Sequence, residues 1–277
     1  MRPFCFGFTE VKTNEEMKED KTEMKHADMN HADMRFPAAA HTGSRRLSGH
    51  ALKLIACLSM VCDHTVKFFH FKGVLSLILS GILGRIAFPL FCFLLTEGYF
   101  HTRSWKKYVG RVLIFALISE IPFNLMYGHA SFPGHQNTMF TLALGLILFR
   151  VLTAVSARPF SAVRSAVLQL SAIAGFAAAA YFLRLDYGFM GILCLACFYY
   201  FDGGMMKKRV DACFWGCLSL NLNLFGDAGA FLSMIPVAMY SGRRGGTGSR
   251  TEQIGFYLFY PAHLAVLALL AGLIRTT

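Results

Sequence analysis

Charge is what this chain has least of. Only 16% of its 277 residues are Asp, Glu, Lys or Arg, against 55% hydrophobic, and the mean hydropathy is +0.47. That balance excludes an ordinary soluble domain and points to a polytopic membrane protein. No stretch has the G-x-x-x-x-G-K-[ST] spacing of a phosphate-binding loop, and no loop expected outside the membrane carries a cysteine pair for a disulfide. Residues 1–50 lack the apolar core and small-residue cleavage site of a secretory signal, so the first apolar stretch is expected to remain as an anchor.

What remains is a series of apolar segments at 52–70, 74–100, 107–127, 138–156, 161–183, 187–201, 210–225, 228–241 and 253–274. They predict an all-α fold: a transmembrane helix bundle of about nine spans, with a range of eight to ten. Three segments, 187–201, 210–225 and 228–241, are shorter than the roughly 20 residues an untilted span needs. The net charge of +11 comes from short cationic clusters at alternate segment ends. Arg45, Arg46 and Lys53 precede the first; Arg103, Lys106 and Lys107 follow the second; Arg158 and Arg164 follow the fourth. Lys207, Lys208 and Arg209 follow the sixth, and Arg243, Arg244 and Arg250 precede the last. This alternation satisfies the positive-inside bias with the N-terminus in the cytoplasm and, for nine spans, the C-terminus outside. It argues against nucleic acid as a partner, since no single solvated face is basic.

Two regions follow: a polar and flexible cytoplasmic tail at 1–50, and a membrane domain at 51–277. The tail repeats HADM at 26–29 and 31–34, and its His26 and His31 read as solvated side chains. Cys194/Cys197 and Cys213/Cys217 have helical spacing and read as packing residues in lipid, with no metal expected. The loop SGRRGGTGSRTEQ at 241–253 has the composition of a flexible hinge or of a phosphate contact.

Function is sought where ionisable groups sit inside apolar sequence, because each costs roughly 2.5–3.5 kcal/mol on insertion scales. Asp63 and His64 lie in LKLIACLSMVCDHTVKFF, in the outer half of the first span by the topology above. Asp63 and Lys67, four apart, are placed to form an ion pair. Neutral His64 is then a candidate general base or proton carrier. Arg85, four residues before the kink expected at Pro89, needs an anion, either Glu120 or Asp63 or a developing oxyanion. Glu97 and His101 share a face, too few for a metal site. Glu120 with Asn124, Asn137 with Thr141, and Asp186-Tyr187-Gly188 all fall on the outer side and are expected to converge on one polar site or to act as interhelical glue.

In LKLIACLSMVCDHT (52–65), GRIAFPLFCFLLTEGYFHTR (84–103), YVGRVLIFALISEIPFNL (108–125), NTMFTLALG (137–145), LDYGFMGIL (185–193) and FYLFYPAHL (256–264), the chain resembles the TraX family of integral membrane proteins. That family is named for a conjugation protein needed to acetylate the N-terminus of a pilin subunit, and it is distantly similar to membrane acyltransferases that use cytoplasmic acetyl-CoA. The resemblance implies motif positions at Asp63, His64, Arg85, Glu97, Glu120, Asn137 and Asp186. It implies an acetyltransferase of the bacterial inner membrane, with acetyl-CoA as donor and a protein, glycan or lipid acceptor at the outer face. In that role His64 is the base, Asp63 or another carboxylate orients it, and Arg85 and Asn137 are oxyanion donors. Arg103, Lys106 and Lys107 are then expected to hold the CoA phosphates, with Trp105 or Tyr108 close enough to stack on adenine. The competing readings are a proton-coupled transporter relaying through Asp63, His64 and Glu120, and a non-catalytic assembly scaffold.

Overall fold

The computed structural model describes residues 47–126, 134–201, 206–222 and 226–276. The HADM repeat with His26 and His31, the cations Arg45 and Arg46, and most of the predicted tail lie outside the described residues. All the described elements are helical, apart from two isolated β-bridges, Leu47 with Tyr240 and Gln136 with Leu185. In chain order they are α1 Gly49–Phe69, α2 Gly73–His101, α3 Trp105–Met126, α4 Thr138–Ser156, α5 Ala162–Phe182, α6 Gly188–Phe201, α7 Met206–Leu220, α8 Ala228–Ala238 and α9 Arg250–Thr276.

Each of the nine apolar segments is therefore a helix, but the span count is smaller than expected by the criteria of length and hydropathy. Five helices, α2, α3, α4, α5 and α9, are long and apolar enough to cross a bilayer. The reason is geometric for the shorter ones. At 1.5 Å per residue, the 14 residues of α6 and the 15 of α7 rise about 21–22 Å, short of a hydrocarbon core about 30 Å thick. In α1 the 21-residue length suffices, yet Lys53, Asp63 and Lys67 interrupt its apolar character. The surface of the bundle is that of a membrane protein. On α5, Val163 is 75% and Phe182 80% exposed, an arrangement that lipid tolerates and water does not.

Successive helices alternate in direction, so their ends form two opposed layers. One layer gathers the starts of α1, α3, α5, α7 and α9 and with them the cationic clusters; it is called the basic end below. At this end α1 begins with Ser48, whose Oγ accepts from Ala51 N at 3.2 Å. The carbonyls of Arg243 and Arg244 accept the next free amides, from Gly49 and His50, each at 2.8 Å. The Gly-rich loop is thus tied to α1, and it is tied to α9 as well: Glu252 accepts from Thr247 Oγ1 at 2.8 Å and Gly248 N at 2.9 Å, and its other oxygen lies 2.6 Å from His50 Nδ1. Leu47 N donates to Met239 O at 2.8 Å, so the last residues of the expected tail already belong to the bundle.

The helix α2 is irregular where its sequence meets Asp63. Residues Leu77–Leu83 form a π-helical stretch and Gly84–Ile86 a tight 3₁₀ turn before regular α geometry resumes at Ala87. The distortion predicted from Pro89 therefore begins earlier, and its carbonyls find a side-chain partner. Ser59 Oγ donates to the carbonyls of Leu83 at 2.5 Å and Gly84 at 3.1 Å. A Cβ at Gly84 would lie 2.6 Å from the Cβ of Asp63, so only glycine lets α1 and α2 approach here.

At the opposite end a second set of irregular segments is stitched together. Gln136 N donates to Arg184 O and Asp186 N to Gln136 O, both at 2.9 Å, which joins the lead-in to α4 with the lead-in to α6. Asn137 caps α4, its Oδ1 accepting from Met139 N at 3.1 Å, while its Nδ2 donates to Ala116 O at 2.8 Å and to Glu120 Oε2 at 2.6 Å. Replacing Asn137 by Ala removes the cap and strips the buried Glu120 of its partner. Asn137→Ala is expected to lower stability by about 2–4 kcal/mol, read as a shifted denaturant midpoint in detergent.

Candidate functional site

Between the distorted part of α2 and the irregular start of α6 lies a cavity of about 290 Å³, on the side away from the basic end. Its polar lining comes from three helices and two lead-ins: Asp63, His64 and Lys67 of α1, Arg85 of α2, Thr138 of α4, Asp186 and Tyr187 before α6, and Asp227 before α8. Of the groups expected to converge on one polar site, Asp186 and Tyr187 line this cavity, and Glu120, Asn124, Asn137, Thr141 and Gly188 do not; they are joined here by Asp63, His64 and Arg85.

The charges are mostly paired. Lys67 Nζ is 2.7 Å from Asp63 Oδ2, as the i,i+4 spacing predicts, and Ser80 donates to the other oxygen. Arg85 Nε lies 3.0 Å from Asp227 Oδ1. Its ion-pair partner is thus neither Glu120 nor Asp63 but a carboxylate far along the chain, which sequence spacing had no means of indicating. Among the described residues Asp186 has no cation within ion-pair distance. Its carboxylate accepts from the Thr138 hydroxyl, and its backbone carbonyl from Thr141 Oγ1 at 2.5 Å.

His64 is held by a residue of the last helix that the sequence reading did not place at the site. Its Nδ1 lies 2.7 Å from Nε2 of His263, which comes from α9, 199 residues away. His263 Nδ1 is 2.8 Å from the carbonyl of Phe259, an oxygen that only accepts. The chain of bonds fixes the tautomers of a neutral pair: His263 carries its proton on Nδ1, accepts at Nε2, and so obliges His64 to donate from Nδ1. The lone pair of His64 is left on Nε2, and His64 is the imidazole that lines the cavity. A carbonyl and a second histidine thus do the orienting that an acid does in other relays. Asp63 is engaged by Lys67 and Ser80 instead.

The remaining predicted residues lie elsewhere. Glu120 and Asn137 line neither this cavity nor the one described next; they clamp α3 to α4, and no amide hydrogen of Asn137 Nδ2 is left for an oxyanion. Arg103, Lys106 and Lys107 are exposed at the basic end. Trp105 lies under Arg150, at 5.7 Å from the ring centroid. A second, larger cavity of about 510 Å³ opens among α1, α2, α3 and α9 nearer the basic end, with Lys53, Glu97, His101, Tyr108, Arg111 and Arg244 among its lining. Glu97 and His101 are not joined through their side chains: His101 Nδ1 bonds the carbonyl of Glu97 at 2.8 Å, and Glu97 Oε2 accepts from Tyr240 at 3.2 Å. Met60, Phe91, Thr138 and Tyr260 line both cavities.

Because Arg85 and Asp227 are both largely withdrawn from solvent, each depends on the other. Arg85→Gln and Asp227→Asn are expected to destabilise singly, and the double substitution to cost less than their sum. A coupling of about 1–3 kcal/mol from the four-member unfolding cycle is the expected outcome.

Comparison with known proteins agrees with this architecture at the level of family. The chain is 29% identical over 239 residues to a protein of Dichelobacter nodosus named probable fimbrial assembly protein FimC, serogroup H1, the match covering 79% of this chain and 94% of that one. No solved structure matches it. The family profile described as TraX protein matches residues 48–271, which takes in every helix from α1 to most of α9, and the chain accordingly belongs to the TraX family of membrane proteins.

Proposed function

We propose that this protein is a membrane-embedded acetyltransferase, with His64 as its general base. The observation that carries the reading is the relay from the Phe259 carbonyl through His263 to His64, which leaves a bare imidazole nitrogen at the wall of a cavity that also holds Arg85. Attack of an amine or hydroxyl on a thioester carbonyl needs a base for the acceptor proton and positive charge near the oxygen that becomes anionic. His64 Nε2 takes that proton while the acceptor forms its bond to the acetyl carbon. Arg85, with a guanidinium only partly satisfied by Asp227, faces the developing oxyanion. When the thiolate leaves, the imidazolium returns the proton to sulfur.

Acetyl-CoA is the donor in this proposal, and the acceptor is an envelope molecule presented from outside. The Dichelobacter relative is named for fimbrial assembly, which favours a pilin-like subunit. The unpaired carboxylate of Asp186 suits an acceptor with an ammonium group, such as a protein N-terminus, better than a neutral sugar. The protein resides in the bacterial inner membrane with nine membrane-embedded helices and a cytoplasmic N-terminus. Alkaline phosphatase fused after Thr277 is then expected to be active, and the same enzyme inserted at 245 inactive.

The catalytic claim is tested with purified protein in lipid nanodiscs and an amine-terminated peptide acceptor. His64→Gln is expected to lower acetyl transfer by a factor of about 100 or more, the usual share of a general base, at unchanged expression and melting temperature. His263→Gln is expected to retain a part of that activity, since it disturbs orientation without removing the base. Wild-type turnover by His64→Gln would eliminate the proposed base. A proton-coupled transporter is the second reading, favoured by two cavities that share a wall. Substrate-driven pH change in sealed vesicles without any acetyl donor would select it.

A further inference from the structure

The cavity at the basic end carries a charge imbalance that the protein does not resolve internally. Its lining contains three cations, Lys53, Arg111 and Arg244, and a single carboxylate, Glu97, which Tyr240 already engages. Among the described residues none of the three cations has a carboxylate within ion-pair distance. Lys53 Nζ instead rests over the ring of Phe256 at 5.1 Å, and Arg111 over Tyr108 at 5.7 Å. Arg111 interacts with Tyr257, yet its Nε is buried with no hydrogen-bond partner at all. Lys53 and Arg111 are partly withdrawn from water without counter-ions, which is costly, and a guanidinium with an unused donor presents a vacancy shaped for an oxyanion; Arg244 stands exposed beside them.

The position of the third cation is set by the fold. Arg244 stands in the Gly-rich loop, whose carbonyls cap α1 and whose far end is held by Glu252. Gly242 and Gly245, at φ of 73° and 64°, adopt the left-handed backbone that turns the loop over the cavity mouth. Of the two roles its composition suggested, the phosphate contact suits this fixed geometry better than the hinge. The walls beside the cations are aromatic, from Tyr108, Tyr240, Phe256 and Tyr257, and the lining turns apolar toward the residues shared with the first cavity.

We infer that this cavity binds the phosphate groups of the acyl donor on Lys53, Arg111 and Arg244 and directs its uncharged arm toward the shared wall of Met60, Phe91, Thr138 and Tyr260. The ligand class is a phosphorylated nucleotide carrying a long neutral thiol arm. About 510 Å³ suits a compact organic ligand, and the aromatic walls suit a purine. The inference rests on the acetyl-transfer reading and moves the donor site away from Arg103, Lys106 and Lys107, which do not line this cavity and fit a purely topological role.

Free coenzyme A is the probe, because it binds without turning over. With the full chain in nanodiscs, Lys53→Gln, Arg111→Gln and Arg244→Gln are each expected to weaken its binding about tenfold or more by calorimetry. The triple exchange Arg103→Gln, Lys106→Gln, Lys107→Gln is expected to leave it within about twofold. Pantetheine, which has the arm but no phosphate, should bind all variants alike. Binding of coenzyme A that ignores the three cavity substitutions but is lost with the exposed triple overturns the inference while sparing acetyl transfer. No binding by the wild-type protein overturns both. Should a cavity variant fail to fold, photolabelling of the wild type with an azidoadenine coenzyme A decides the matter: label in peptides from α3 and from 241–249 is the expected result, and label confined to other peptides refutes the site.

Discussion

An ionisable side chain surrounded by apolar helices must find a counter-charge or a hydrogen-bond partner, and most of this structure follows from how that requirement is met. Burying one unpartnered charge costs as much as several well-packed methyl groups contribute, so the sequence can place a charge in the bundle only where the fold supplies an answer. For Asp63 the answer is local, one turn away at Lys67. For Arg85 it is distant, at Asp227. For His64 it is a second imidazole backed by a carbonyl. Each partner belongs to a different helix or lead-in, and together they dictate which helices adjoin. The break in α2 is part of the same solution, since the widened turns and Gly84 let α1 lie close enough for Ser80 to reach Asp63.

The opposite case occurs near the basic end. There Lys53 and Arg111 meet aromatic rings and not carboxylates, while the cavity on the far side holds its charges in neutralised pairs with one carboxylate to spare. The two chambers are thus electrostatically unlike. In the proposed reaction the chamber near the basic end would take the anionic donor and the far one the acceptor, and four residues line both. Acetyl transfer across a membrane requires such a division of labour, with the reacting groups meeting at the boundary.

Much of this was legible in the sequence, and the part that was not has identifiable causes. Helix positions could be read because hydropathy in a membrane protein is a strong, local signal: the nine apolar segments coincide with α1 to α9 within a few residues. The Asp63–Lys67 pair could be read because helical spacing is also local. The meeting of Thr141 with Asp186 was visible as polar groups at matching depth, whereas the bond from Thr138 was not. By contrast, nothing local joins Arg85 to Asp227 or His64 to His263, and single-sequence reasoning offered Arg85 Glu120, Asp63 or a developing oxyanion instead. His263 did leave a trace, an imidazole inside the apolar run FYLFYPAHL. Asn137 and Glu120 drew notice for the same reason as the site residues, namely polarity at depth, but polarity at depth also marks clamps, and only the direction of their hydrogen bonds separates the two.

The stapling of α1 to α9 bears on how the chambers communicate. These helices are fastened at two heights, through His50 and Glu252 beneath the Gly-rich loop and through His64 and His263 at mid-bundle. Two separated rivets prevent a pair of rods from pivoting or sliding against each other, so Met60 and Tyr260 ride on what is effectively one beam. Any widening of the passage falls to the other jamb, where Phe91 follows the irregular α2 and Thr138 begins α4. The His64 imidazole is therefore held in register with the wall that Met60 and Tyr260 form.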